Sequence, residues 1–242
     1  MRNFFIGILL SITVVSCTTI SVHQTTQKLT ETNVELGSIG LSNETVISNS
    51  YKSIAIPVFE EKIKLSVQPV AFSKQTFKAF AKANEQTKKV ALAYTDSLNV
   101  KPEYVLLQFV DRVAITSALN DAKNTGLRSY LETKEDAQMV TSVAVGFSTE
   151  DINLLKKAEE VFLVQSASKK FSLQLVFLDG KKQVLVVSKG VVFAYETANF
   201  CWKENNKHKL VIADIVSDSE GCPPNTHRKA HKAVQKDNYF KL

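Results

Sequence analysis

Five apolar or alternating runs follow one another at short spacing late in the chain, and they constrain the fold more than any other feature. The runs cover residues 161–165, 171–178, 183–188, 191–202 and 209–216. Asp179-Gly180 is typical of a two-residue hairpin turn, Lys189-Gly190 indicates a second turn, and the polar residues 204–207 indicate a third. Strands joined by short turns pair with their neighbours, so the sequence predicts a C-terminal antiparallel β-meander.

The middle of the chain mixes helix and strand patterns. Alternation with period two predicts strands, and apolar residues at helical spacing predict helices. The strands are expected at residues 54–58, 63–67, 103–118 and 139–147, and the helices at 73–84, 88–98 and 120–135. Ser148, followed three residues later by Asp151, adds a capped helix start. Early helices and late hairpins indicate an α+β fold, with a few helices packed on a mainly antiparallel sheet, rather than a doubly wound parallel sheet.

The stretch before this region has a different composition. Residues 18–50 contain no aromatic side chain, and Ser, Thr and Asn dominate, which predicts that residues 17–50 form a flexible tether. Four aliphatic residues support the alternative that part of this stretch docks as an edge strand, namely Val34, Leu36, Ile39 and Leu41. We expect a single α+β domain over residues 51–222, followed by a basic tail at 223–242.

The first seventeen residues have the pattern of an export signal. Arg2 precedes an apolar run that begins at Phe4 and ends with Val14-Val15-Ser16-Cys17. The run is too short for a permanent bilayer-spanning helix and has the length of a cleaved signal core. Its end resembles the lipobox of bacterial lipoproteins, a family in which a peptidase cuts before the cysteine and the thiol carries a diacylglycerol.

The resemblance implies removal of residues 1–16, lipidation of Cys17 and contact with the lipid bilayer through the acylated Cys17. In this family an Asp after the cysteine favours the inner membrane. Thr18 occupies that position here, so the resemblance implies the outer membrane. No acidic cluster follows Cys17, which favours the periplasmic face over the cell surface. The alternative is ordinary signal-peptidase cleavage after Ser16, which would release a protein without lipid.

The three cysteines of an exported chain need an explanation. If Cys17 is lipidated, Cys201 and Cys222 remain as an even pair, and an oxidising envelope allows such a pair to form a disulfide. The turns expected between Cys201 and Cys222 bring the second residue back toward the first. The alternative is two unpaired thiols, with Cys201 buried as a small apolar residue and Cys222 exposed.

Charge and motifs exclude several classes of function. The chain has 30 Lys and Arg against 24 Asp and Glu, a formal net charge of +6. No basic stripe with interleaved aromatic residues precedes the C-terminal tail, so we expect no nucleic-acid partner. The sequence contains no glycine-rich phosphate loop, nucleophile elbow or zinc-protease helix, so we expect no cofactor.

Two histidines four residues apart are the candidate metal ligands. His227 and His231 would share one face of a helix, and Asp218, Glu220 and Cys222 are the nearest further ligands. The Arg and Lys residues beside these histidines oppose cation binding. The simpler interpretation is therefore a solvated basic tail without a metal.

Asp111 is the single polar residue on the apolar face of the strand expected at 103–118. Burial there would keep its carboxyl group protonated, as a general acid requires. The simpler interpretation is a bulge at Asp111-Arg112 that turns the carboxylate toward solvent or pairs it locally. Farther along, Phe200 and Trp202 would offer an aromatic face to a sugar, although alternation along the strand gives two mixed faces and favours ordinary core packing.

Two classes of function remain. The first is a membrane-anchored envelope lipoprotein with a binding or scaffolding role in the periplasm, toward an envelope protein or a glycan. The alternative is a periplasmic hydrolase whose site is assembled from distant residues. The lack of local catalytic motifs favours binding, whereas a deep pocket at Asp111 or at residues 222–231 would favour the hydrolase.

Overall fold

The computed structural model describes residues 19–22, 25–44, 49–166 and 170–234 of the chain. The expected signal peptide, residues 1–16, and the expected lipidation site Cys17 lie outside the described residues. Within the described ranges the chain forms twelve strands and five α-helices. None of these helices combines the length and the apolar character needed to cross a bilayer.

All twelve strands belong to one sheet, and every pairing in it is antiparallel. The strands are β1 (Thr19–Val22), β2 (Thr25–Leu29), β3 (Ile39–Glu44), β4 (Asn49–Ala55), β5 (Ile63–Ala71), β6 (Glu103–Phe109), β7 (Ala137–Gly146), β8 (Glu160–Gln165), β9 (Phe171–Val176), β10 (Lys182–Val186), β11 (Val191–Glu204) and β12 (Leu210–Ser217). The expected mainly antiparallel sheet is thus confirmed.

The helices are α1 (Lys74–Glu85), α2 (Arg112–Asn120), α3 (Thr125–Glu132), α4 (Thr149–Lys157) and α5 (Ala230–Ala233). The α1 helix begins with a capping box, in which the Ser73 hydroxyl accepts from the Thr76 amide and the Thr76 hydroxyl accepts from the Ser73 amide. At the start of α4 the Ser148 hydroxyl accepts from the Asp151 amide, as the sequence predicts. These caps satisfy amides that have no partner within the helix.

The sheet is built around the strand pair β7 and β11. Its main path runs β1-β2-β11-β7-β6-β5-β8-β9-β10. Because β11 has 14 residues, one of its edges pairs with β2 around Tyr195 and with β12 from Ala198 onward. In the same way, β7 pairs with β6 near Val145 and with β3 near Ala137. The sheet therefore branches on both sides of its central pair, and the candidate site lies in this branched region.

Two groups of buried side chains form the core. The smaller group joins the sheet to α1 through Phe80 and includes Val22, Phe72, Tyr104 and Phe193. The larger group joins the sheet to α2, α3 and α4. The helices contribute Ile115, Leu119, Leu131, Ile152 and Leu155 to it. This packing of helices on an antiparallel sheet is an α+β arrangement in which the sheet predominates.

The expected C-terminal meander is divided between two places in the sheet. The strands β8, β9 and β10 do pair in sequence, with the expected turn at Gly180, which has a φ of +76°. Lys189-Gly190 is not a hairpin turn, because β11 pairs with β7, β2 and β12 and not with β10. A Cβ at Gly190 would lie 2.5 Å from Val145 and 2.7 Å from Phe147, so this glycine permits close packing at the centre of the sheet.

The prediction of a flexible tether at residues 17–50 is wrong over the described part of that stretch. The strands β1 and β2 pair with each other and β2 pairs with β11, while β3 pairs with both β4 and β7. Val34, Leu36 and Ile39 are at most 2% exposed. The tether prediction relied on the lack of aromatic residues in this stretch. Its buried aliphatic side chains nevertheless supply the apolar contacts that hold it in the core. The folded domain therefore begins at Thr19 rather than at Tyr51.

The strand expected at residues 103–118 is also corrected. The β6 strand ends at Phe109, and α2 begins at Arg112 with Asp111 as its N-cap. Ile115 and Leu119 are buried four residues apart, which is helical spacing. The apolar run around Asp111 fits both the two-residue period of a strand and the 3.6-residue period of a helix. The Asp111 carboxylate caps the first turn and so favours the helix. The helix expected at 88–98 is absent among the described residues, since α1 ends at Glu85 and Lys88 has a positive φ of 49°.

The expected basic tail at 223–242 is partly integrated into the domain. The His227 amide donates to the Trp202 carbonyl and the Trp202 amide donates to the His227 carbonyl, at 2.8 and 2.7 Å. Ala230 and Ala233 are buried in the larger core group. The described part of this tail, residues 223–234, therefore packs against β11.

Candidate functional site

A cleft of about 850 Å³ opens beside the ends of β7 and β11 and the turn after β12. We name it the Asp218 cleft and define it by six of its lining residues: Lys134, Asp136, Gln138, Asn199, Asp218 and Arg228. These residues come from three separate parts of the chain, and strand pairing brings them together. Asn199 of β11 lies directly opposite Gln138 of β7.

The carboxylate of Asp218 is the centre of a hydrogen-bond network. Its Oδ1 accepts from Asn199 Nδ2 at 2.6 Å and from Gln138 Nε2 at 2.8 Å. Its Oδ2 lies 3.3 Å from Lys28 Nζ of β2. The hydroxyl of Thr197 donates to Gln138 Oε1 at 2.9 Å and completes the network. One carboxylate on the turn after β12 therefore contacts three strands, β2, β7 and β11, and fixes the wall of the cleft.

Arg228 holds the turn that carries Asp218. Its guanidinium donates to the carbonyl of Glu220 at 2.7 Å and to the carbonyl of Asp218 at 3.3 Å. The disulfide between Cys201 and Cys222 closes the same region, with a Cα–Cα distance of 5.7 Å. The expected disulfide is confirmed, and the alternative of two unpaired thiols is wrong.

A second charged group lies at the rim of the cleft. The Glu135 carboxylate binds Lys229 Nζ at 2.6 Å and His231 Nδ1 at 2.7 Å. The hydrogen bond from Lys229 is the main cause that lowers the pKa of Glu135, and the nearby His231 acts in the same direction. Among the described residues, no hydroxyl or thiol forms a hydrogen bond with His231.

The candidate metal ligands do not converge. His227 lies outside α5 and pairs through its backbone with Trp202, whereas His231 lies in α5 and contacts Glu135. Cys222 is occupied by its disulfide. Among the described residues there is no group of three or more His, Cys, Asp and Glu side chains that could hold a metal ion. The helix that would place the two candidate histidines on one face is missing between them, because α5 starts only at Ala230.

Asp111 lies away from the cleft and caps α2. Its Oδ1 accepts from the Ala114 amide at 2.8 Å, and the residue is exposed. The strand face that would have buried a general acid does not exist, and neither does the bulge, but the carboxylate faces solvent and is paired locally, as the simpler interpretation expects. Asp is a preferred N-cap residue, because its carboxylate accepts a hydrogen bond from a backbone amide of the first helical turn.

The aromatic residues near the cleft belong to the core. Phe200 and Trp202 are 4% and 3% exposed, and their ring centroids lie 6.5 Å apart. Both residues line the cleft, but so little of either side chain is exposed that neither ring can serve as a platform for a sugar. The interpretation of these residues as core packing is therefore confirmed.

Sequence reasoning missed a row of polar residues beside the cleft. Glu196 of β11 pairs with Ser142 of β7, and Ser142 accepts from Gln27 Nε2 of β2 at 3.1 Å. Gln27 is fully buried, and its Oε1 has no partner among the described groups. Burial is the main cause that raises the pKa of Glu196, and the charges of Asp218 and Glu220 add to it. The register between distant strands brings these residues together, and no local sequence pattern predicts it.

The Asp218 cleft combines both signs of charge with fixed amide groups. Lys134 and Asp136 are exposed, and neither makes an ion pair with a described residue. This chemistry suits recognition of a polar ligand that carries both charges and hydrogen-bonding groups. No protein-family model, curated protein or solved structure matches this chain.

Proposed function

We propose that this chain is a lipid-anchored envelope lipoprotein whose folded domain binds a polar envelope partner at the Asp218 cleft. The sequence Val14-Val15-Ser16-Cys17 after a short apolar run supports the anchor at Cys17. Thr18 in place of an Asp supports the outer membrane as its location, and the lack of an acidic cluster after Cys17 supports the periplasmic face. The disulfide between Cys201 and Cys222 supports an oxidising compartment.

The observation that carries the binding role is the Asp218 network. Gln138, Asn199 and Lys28 hold the carboxylate in place, so the cleft wall does not need to be ordered when a ligand enters. Cell-wall glycopeptide is a partner of fitting chemistry, because it presents amides, carboxylates and amines along one polymer. Lys134 and Arg228 would face its carboxylates, and Asp136 would face its amines.

The anchor is tested by metabolic labelling with a fatty acid. Wild-type chain should incorporate the label and partition into detergent, and Cys17→Ser should abolish both. The double variant Cys201→Ser/Cys222→Ser is the matched control, since it removes two other cysteines and should keep the label. Detergent partitioning of Cys17→Ser equal to that of the wild type would reject the anchor.

Binding is tested by co-sedimentation of the lipid-free chain 17–242 with purified cell-wall sacculi. The variant Lys134→Glu/Asp136→Lys exchanges the two charges of the cleft without changing the net charge. We expect affinity to fall about ten-fold, which corresponds to ~1.4 kcal/mol. The control Lys157→Glu/Glu159→Lys exchanges a lysine and an acidic residue at the same spacing on the surface at the C-terminal end of α4, and it should bind normally. Equal binding of both variants would reject the cleft as the site.

One observation favours a hydrolase as the second candidate. The distance of 2.7 Å between Glu135 and His231 Nδ1 is the contact by which a carboxylate orients an imidazole in acid-base catalysis. Arg228 and Lys229 of the segment 222–231 also line the cleft. A hydrolase would release soluble fragments from sacculi, and His231→Ala would stop that release while binding persisted. We expect no release by the wild-type chain.

A further inference from the structure

The folded domain begins very close to the expected anchor. The β1 strand starts at Thr19, two residues after Cys17, and two extended residues span at most ~7 Å. Thr19 pairs with Lys28 near the end of β2. Two residues after β2 ends, Glu31 binds Lys82 of α1 at 2.6 Å. An acylated Cys17 would thus hold the domain against the bilayer near the C-terminal end of α1.

The exposed side of α1 carries a stripe of lysines. Lys74, Lys78 and Lys82 follow at intervals of four residues, which places them on one side of the helix, and all three are exposed. The opposite side buries Phe80 and Ala83. Lys74 and Lys78 form no ion pair with any carboxylate in the described ranges. Their charges therefore face solvent without neutralisation.

The loop before β6 extends this surface with apolar residues. Leu98 is 40% exposed and Val100 is 86% exposed. The loop is joined to α1 through Tyr94, whose ring stacks on Phe77 with centroids 4.7 Å apart. Lys101 Nζ lies 5.9 Å from the same Tyr94 ring. We define the α1 face as Lys74, Lys78, Lys82, Leu98, Val100 and Lys101.

The charge of this segment is strongly asymmetric. Residues 74–101 contain six lysines and two acidic residues. A surface that combines clustered lysines with protruding aliphatic side chains has the chemistry of a bilayer interface, where lysines meet phosphate headgroups and aliphatic groups enter the acyl boundary. Because Thr19 lies only two residues after Cys17, the bilayer that this surface can reach is the one that holds the anchor.

We propose that the α1 face rests on the anionic leaflet that holds the acyl chains of Cys17, with Leu98 and Val100 inserted among the headgroups. This inference depends on the proposed lipid anchor for its biological setting. A lipid anchor alone leaves the domain free to rotate about a single attachment point. A second contact through the α1 face fixes the orientation in which the domain presents its other surfaces.

The test uses the chain 17–242 without lipid, which contains every described element. Phosphatidylcholine vesicles with about 30 mol% phosphatidylglycerol should bind this chain, vesicles of phosphatidylcholine alone should not, and roughly 0.5 M NaCl should release it. The variant Lys74→Glu/Lys78→Glu should lower the partition coefficient by at least about twenty-fold, since each lysine at an anionic surface contributes roughly a five-fold factor. Leu98→Ser/Val100→Ser should lower it as well.

The control is Lys207→Glu/Lys209→Glu, which makes the same change of charge at exposed residues of the turn between β11 and β12. An equal loss of binding in this control would show dependence on net charge alone and would overturn the proposal. Binding to soluble polyglutamate without binding to vesicles would identify an acidic macromolecule as the partner and would also overturn it. Thermal unfolding of each variant at the wild-type midpoint excludes misfolding as the cause.

The outcome is independent of the labelling experiment. If the lipid-free chain fails to bind anionic vesicles while Cys17 is acylated, the α1 face is rejected and the anchor remains. If the vesicles bind the chain while Cys17 carries no label, the anchor is rejected and the membrane-contacting face remains.

Discussion

Asn199 donates a hydrogen bond to Asp218 across 2.6 Å, and this contact ties the longest strand of the sheet to the turn that follows β12. The same carboxylate accepts from Gln138 and lies 3.3 Å from Lys28. The network joins elements that are far apart in the sequence. Loss of its central acceptor should therefore affect both the stability of the domain and the shape of the cleft.

Asp218→Ala should lower the free energy of unfolding by about 1–2 kcal/mol, because two amide donors and the largely buried Lys28 ammonium each lose one acceptor. Urea unfolding followed by tryptophan fluorescence measures the change, since Trp202 lies beside the cleft. Asp136→Asn is the control, because Asp136 lines the same cleft without a hydrogen bond to a described group. Equal stability of Asp218→Ala and wild type would show that solvent replaces the network at no cost.

Glu196 should make the domain less stable as pH rises. Burial and the charges of Asp218 and Glu220 raise its pKa above the ordinary value of 4.5, so the folded state holds this proton more tightly than the unfolded state does. Between 4.5 and the raised folded-state pKa the folded chain binds more protons, and stability therefore falls with increasing pH. Glu196→Gln should be more stable than wild type near neutral pH, and the difference should vanish below the unfolded-state pKa.

The control for Glu196 has the opposite sign. A hydrogen bond from Lys64 lowers the pKa of Glu160, so the wild type gains stability from this group above the ordinary carboxyl pKa and loses it as pH falls. Glu160→Gln should therefore be slightly less stable than wild type at neutral pH. Urea midpoints of both variants across the acidic range measure the two trends. A Glu196→Gln variant that tracks the wild type at every pH would contradict the assigned burial.

Local features of the fold were predictable from the sequence. Ser73 marks the start of α1, Ser148 caps α4, and Asp179-Gly180 forms the turn between β9 and β10. Each of these depends on contacts within a few residues. Asp111 shows the limit of such reasoning, because the apolar run around it fits a strand and a helix equally well until the cap is recognised.

The candidate site was not predictable, because it depends on register between distant strands. Lys28, Gln138 and Asn199 meet at Asp218 only after β2, β7 and β11 have paired. Neither the tether composition nor the spacing of His227 and His231 contains that information. The disulfide was predictable because the odd number of cysteines, together with the lipobox resemblance, restricted the pairing to Cys201 and Cys222.

The N-terminal segment should be essential for stability. Leu36 is 2% exposed in the larger core group, so Leu36→Ala should lower the free energy of unfolding by ~2–4 kcal/mol. Leu98→Ala makes the same change at a side chain that is 40% exposed and should cost less than about 1 kcal/mol. Chemical unfolding of both variants measures the contrast. If both variants lost equally little stability, residues 25–44 would not be part of the stable core, and the tether prediction would be correct for them.

Reduction of the disulfide should destabilise the domain by roughly 3 kcal/mol. Cys201 and Cys222 are separated by 21 residues in the sequence. A closed loop of this size lowers the conformational entropy of the unfolded chain and so raises its free energy by about that amount. The bridge also holds the turn that carries Asp218, so its loss should loosen the cleft. Urea unfolding with and without a reductant measures the change in stability.

The double variant Cys201→Ser/Cys222→Ser separates loss of the bridge from the chemistry of free thiols. Its free energy of unfolding should equal that of the reduced wild type, less the cost of placing a serine hydroxyl at the fully buried position of Cys201. Cys201→Ala/Cys222→Ala avoids that penalty and should match more closely. Both variants also carry Cys17→Ser, so no lone thiol remains and oxidative dimers cannot produce the effect. Recovery of separate, alkylatable Cys201 and Cys222 peptides from the oxidised protein would contradict the bridge directly.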